Sequence, residues 1–184
     1  MSLNPFVHVH PIYTLLIPSV LFWTGGGFFA AAWTPVNPSR MRRPQVHGLL
    51  VSLGGPAANL VLAVGSFLVL AVAILVMGGI DRATPGNRLQ ILDLVYLGVQ
   101  LNLFMAIFNL LPFPPLDGSE IVAFFLPPRM RAGWMDLRRH AWIVLLILMM
   151  SGALDRVLHP PLRVAGRVVD DGIALVNGLA RHGR

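Results

Sequence analysis

The chain has 184 residues, room for one domain, but 55% are hydrophobic and only 12% charged, and the mean hydropathy of +0.70 excludes an ordinary water-soluble fold. Fourteen arginines and no lysine against eight acids give +6, and the arginines cluster between apolar runs, as in loops beside membrane spans and unlike a nucleic-acid-binding face. The absence of cysteine excludes disulfides, thiol nucleophiles and thiolate metal sites, which leaves histidine and oxygen ligands for any metal.

Four apolar runs follow in chain order. Met1–His10 is polar and lacks the pattern of a removable signal, so the first run, Ile12–Trp33, is expected to act as the membrane address. It is uncharged, is interrupted by Gly25–Gly27, and ends at Thr34-Pro35-Val36-Asn37-Pro38, where a helix cannot continue. The second run, Gly48–Ile80, is uncharged throughout and is the most secure span; its start, around Gly54-Gly55-Pro56, is expected at the interface or in a protein-lined cavity. The third, Leu89–Phe113, carries Asp93, Gln100, Asn102 and Asn109. Asn102 and Asn109 share a helical face that must look at protein or water and not at lipid. The fourth, Ala141–Leu154, is short for a span and predicts a tilted or half-inserted helix.

Beyond Pro160-Pro161, apolar residues recur at helical spacing (Ala165, Val168, Val169, Ile173, Val176, Leu179) opposite Arg163, Arg167, Asp170, Asp171 and Arg181. This predicts an amphipathic helix on the membrane surface or on a partner. The expected fold class is therefore all-α: about four transmembrane or half-inserted helices, a proline-broken segment, and a C-terminal amphipathic helix. Residues 1–158 form the transmembrane core and 159–184 the tail. Seven arginines (40, 42, 43, 129, 131, 138, 139) lie on the side of Gly54–Pro56, against Arg82 and Arg88 on the other, which places the former side in the cytoplasm.

The stretch from Asn109 to Glu120, NLLPFPPLDGSE, is the most informative. Three prolines stop the helix and leave carbonyls that, at membrane depth, only protein or a water cavity can satisfy. Asp117 follows at the start of a predicted helix. It either caps that helix or, held anionic by the helix terminus, serves as a cation ligand. In Gly54-Gly55-Pro56-Ala57-Ala58-Asn59, small residues permit close helix approach, and Asn59 requires an interhelical bond or a cavity. Because the second and third spans run antiparallel, Asn59, Asn109 and Asp117 reach the same side of the bilayer. A single polar site built from both helices is the natural outcome.

Asn109-x-x-Pro112-x-Pro114-x-x-Asp117-Gly118, with Gly55-Pro56-x-x-Asn59 and Trp33–Pro38, resembles the site-2 protease family of intramembrane zinc metallopeptidases, in its compact bacterial branch, from about Asn4 to Pro161. The resemblance implies that Asp117 is the third zinc ligand and that Asn59 and Asn109 line the site and hold the substrate backbone or reacting carbonyl. It also implies hydrolysis of a peptide bond in or near a transmembrane substrate helix, in the bacterial inner membrane. The lipid bilayer and a transmembrane protein are then the partners, and nucleic acid is not.

In that family the other two ligands are histidines of an HExxH helix whose glutamate is the general base. The motif is missing here: the one glutamate, Glu120, follows Ser119. The leading expectation is a chain truncated or miscalled at its start, so that the HExxH helix is lost and the remainder is inactive alone. The alternative is a non-catalytic pseudoprotease or scaffold that binds transmembrane helices. A third possibility assigns replacement metal ligation to His8 and His10, which would share one face of an extended strand.

Overall fold

The computed structural model describes residues 43–80, 87–137 and 140–182. The expected first span, the Trp33–Pro38 segment, His8 and His10 lie outside the described residues. The described residues form six helices and no strand.

Helix α1 (Pro44–Met77) begins with proline at its first position, where the missing N–H is no loss, and ends at Gly78 in the left-handed region (φ 73°). At about 1.5 Å per residue its 34 residues exceed the hydrocarbon core in length. Pro56 lies inside it without ending it. Gly55 has no Cβ to crowd the following proline ring, which relieves the usual clash at the residue before proline. Helix α2 (Asn87–Asn109) packs antiparallel on α1: Ile74 clusters with Leu92 near one end, and at mid-length Ser66 Oγ stands 3.7 Å from where a Cβ on Gly98 would be. These two helices are long and apolar enough to cross a membrane.

The chain then breaks at the prolines and continues as four helices, α3 (Gly118–Phe125), α4 (Pro128–Leu137), α5 (Ala141–Met150) and α6 (Ala153–His182). The expected fourth run thus ends early: α5 has ten residues and bends by 76° into α6, so only the bent pair taken together is long and apolar enough for a third crossing. Gly152, at φ 69°, supplies the turn.

The amphipathic helix starts at Ala153, ahead of the expected boundary at 158/159, and runs through Pro160 and Pro161. Each proline removes one helical hydrogen bond, but Leu158 and Leu162 on either side pack into a cluster with Phe108, Leu116 and Leu145, so tertiary burial carries the helix across. Farther along, Val169, Ile173 and Ala180 join Leu70, Ile74, Leu92 and Val99 in the main core. The apolar side of α6 is thus buried on α1 and α2. From Leu158 to Ala180 it rises about 33 Å, close to the thickness of the hydrocarbon core. Val168 and Leu179, expected on the buried stripe, are exposed.

The far end of α6 is fastened to the turn after α1. Asn177 Oδ1 accepts from the Ile80 N–H (2.8 Å), its Nδ2 donates to the Ile80 carbonyl (3.2 Å), and Arg181 donates to the same carbonyl (3.1 Å). Tyr96 of α2 donates to Asp170 Oδ1 at 2.8 Å. Polar bonds of this kind fix register between helices whose apolar faces alone could slide.

Candidate functional site

The proline-broken segment builds the site by turns. Asn109 ends α2 half-buried, and the Leu116 N–H donates to the Phe113 carbonyl (3.0 Å) as the chain reverses. Pro114 and Leu116 are buried beneath it. Gly118 then passes under the turn so closely that a Cβ would overlap the carbonyl oxygens of Leu110 and Leu111 and lie 2.6 Å from the carbonyl carbon of Leu110. Only glycine fits there, so the Asp-Gly pair is a steric requirement of the break and not simply a turn preference.

Asp117 precedes α3 with helical backbone angles (φ −59°, ψ −35°), and its side chain makes no capping bond to that helix. This removes the capping alternative. The half-buried carboxylate turns toward α1, where Oδ2 lies 2.9 Å and Cγ 3.9 Å from the point a Cβ on Gly55 would occupy. Gly55 therefore leaves room both for the proline ring after it and for a carboxylate from another helix. Asn59, half-buried, stands one turn further along, and Ser52, Pro56 and Ala63 on the same side of α1 are buried. Two motifs some sixty positions apart in sequence thus meet at one point of the fold. Asn102, by contrast, folds back on its own helix, donating to the Gly98 carbonyl at 2.8 Å.

A Peptidase family M50 model matches residues 12–151 of the chain. The chain is 37% identical over 169 residues to the Bacillus subtilis (strain 168) protein named "Putative zinc metalloprotease YwhC", an overlap of 91% of this chain and 72% of that relative. The chain belongs to peptidase family M50, the site-2 proteases. Two further relatives, each named "Putative zinc metalloprotease Rip2", come from Mycolicibacterium smegmatis and Mycobacterium tuberculosis. The first is 29% identical over 85% of this chain and 56% of its own length, the second 28% identical over 84% and 55%. No solved structure shows a significant match.

Zinc is the metal expected for an M50 protein. Among the described residues, however, no three His, Asp or Glu side chains converge. Asp117 and its described neighbours therefore do not by themselves make up a metal site. His47 is half-buried in the first turn of α1, and His140 and His159 are exposed. None of them joins Asp117 in such a group.

Two residues that shape the site were not singled out from sequence. Arg131 of α4, counted as a topology charge, donates from Nε to the Ala123 carbonyl (2.8 Å) and from Nη2 to those of Phe124 (3.2 Å) and Leu126 (3.3 Å). It thereby collects the open carbonyls at the C-terminal end of α3. Trp134 donates its indole N–H to the Ser119 carbonyl at 3.0 Å. A basic residue four positions after Pro127 was the available signal for the first; for Trp134 there was none.

Proposed function

We propose that this chain supplies the carboxylate ligand and the substrate-facing polar groups of a multi-pass zinc metalloprotease of the bacterial inner membrane, which hydrolyses peptide bonds in or near transmembrane segments of other proteins. The observation that carries the reading is the approach of the Asp117 carboxylate to Gly55, which brings the NxxPxPxxDG and GPxxN elements together. M50 membership and the printed names of the relatives support the chemistry.

In this reading Asp117 is presented away from its own helix, toward α1. Asn59 and Asn109 hold the backbone of an unwound substrate segment, whose exposed peptide groups need partners inside the membrane. The remaining ligands and the general base come from outside these 184 residues, because the sequence contains no HExxH. The 184-residue chain alone is therefore inactive and binds no stoichiometric zinc, since one carboxylate does not fix the metal.

Elemental analysis tests this. A chain extended to include an in-frame HExxH is expected to hold one zinc, and Asp117→Ala to lose it. Equal metal in both removes Asp117 from the site. The missing motif also favours a second reading, a non-catalytic protein that binds membrane helices in the same groove. A stop codon close upstream, with no HExxH before the Met1 codon, would establish that one.

A further inference from the structure

The Asp117 carboxylate sits just ahead of a short helix. Helix α3 has eight residues, too few to be stable by itself, and its N-terminus leaves a proline-rich turn. Its buried face, Gly118, Ser119 and Ala123, packs on α1, and α4, which follows after Leu126-Pro127, adds side-chain bonds at both ends. Arg131 gathers three carbonyls at the C-terminal end of α3, and Trp134 reaches the Ser119 carbonyl in the first turn, two residues from Asp117. Ser119 is 2% exposed and its Oγ donates to the Leu116 carbonyl at 2.7 Å, so this turn is pinned from both sides. A metal ligand displaced by a fraction of an ångström loses much of its value, so the groups that fix its helix matter as much as the ligand.

We propose that Trp134 and Arg131 are positioning residues that hold α3 in the register placing the Asp117 carboxylate against Gly55. The functional meaning rests on Asp117 being a zinc ligand; the positioning itself does not. Trp134 fixes the near end of the helix through a single N–H, and Arg131 fixes the far end through the planar fork that lysine lacks.

The cysteine-free chain allows a direct test on the full 184 residues in membranes, with chelator present so that no metal takes part. Paired cysteines at Gly55 and Asp117 report the approach of α3 to α1. A second pair at Ser66 and Gly98, which face each other across α1 and α2, reports packing away from the site. Trp134→Phe keeps an aromatic ring and removes the donor; Arg131→Lys keeps the charge and removes the fork. In each background, oxidative cross-linking of the 55/117 pair is expected to slow about fivefold, the shift that loss of one ordinary hydrogen bond produces, while the 66/98 pair keeps its rate. An unchanged 55/117 rate overturns the proposal. So does equal slowing of both pairs, which would mean general loosening. Zinc retained by Asp117→Ala in the extended chain would refute the ligand reading and leave these rates as they are, so the two failures are distinguishable.

Discussion

Gly118→Ala tests the claim that the site's geometry is set by backbone contact. The new Cβ would lie 2.6 Å from the Leu110 carbonyl carbon and overlap the oxygens of Leu110 and Leu111. Those atoms belong to a turn tied back to α2 by bonds from the Leu110 N–H to Ala106 (3.2 Å) and from the Leu111 N–H to Phe108 (3.1 Å), so no rotamer change can relieve the clash. Overpacking in a closed region costs about 1–3 kcal/mol, and a rigid partner puts this case at the upper end. Alanine's helix propensity offsets at most about 1 kcal/mol, leaving a net loss of about 2 kcal/mol. For a chain of this size that corresponds to a melting temperature lower by roughly 4–8 °C. Gly54→Ala is the control. Nothing lies within 4 Å of its Cβ, so the same change inside α1 is expected to stabilise by up to about 1 kcal/mol. Thermal unfolding in detergent, followed by near-UV circular dichroism, separates the two. A Gly118→Ala protein melting with or above the parent would refute the reasoning.

At the contact of α1 with α6, a Cβ on Gly172 would come within 2.8 Å of Phe67 Cζ, so Gly172→Ala is expected to destabilise by about 1–2 kcal/mol, and Phe67→Leu in the same chain to recover most of it. Strict additivity in that double-mutant cycle would count against the contact. Asn177→Leu removes both bonds to Ile80 and is expected to cost about 1–3 kcal/mol and to speed hydrogen exchange at the Ile80 amide. Unchanged protection there would show that the turn after α1 is held by something else.

The two central spans were legible because an uncharged run longer than a bilayer has few alternatives, and the break after Asn109 because three prolines admit no helix. The meeting of Asp117 with the GPxxN element was also legible, since two antiparallel spans bring those ends to one side. The path of α6 was not. Its charged flank reads equally as a surface helix or as one edge of a bundle, and the choice depends on whether Val169, Ile173 and Ala180 find a larger apolar surface on α1 and α2 than on lipid. Pro160-Pro161 looked like a boundary because local propensity forbids what burial of Leu158 and Leu162 permits. The role of Arg131 was hidden because a charge beside a span satisfies the positive-inside pattern whether or not its side chain caps a helix.

That path bears on orientation. If four spans are counted, the arginine-rich tail falls opposite the other basic loops and opposes the positive-inside orientation. Helix α6 instead begins beside Phe108 and Leu116, at the end of the bundle where the proline break lies, and runs to the opposite end near Asn177 and Arg181, which bind Ile80. Arg156 therefore counts with the seven arginines at the proline-break side, and Arg181 with Arg82 and Arg88 opposite. The asymmetry survives, and by the positive-inside rule it predicts an orientation with the break toward the cytoplasm. Cysteine labelling tests this without background, because the chain has none of its own. Met130→Cys, at an exposed position in α4, is expected to resist a membrane-impermeant maleimide in intact cells and to react after the membrane is opened, whereas a cysteine appended after Arg184 reacts in both. Labelling of Met130→Cys in intact cells would reverse the orientation, and protection of both sites would mean that α6 does not cross.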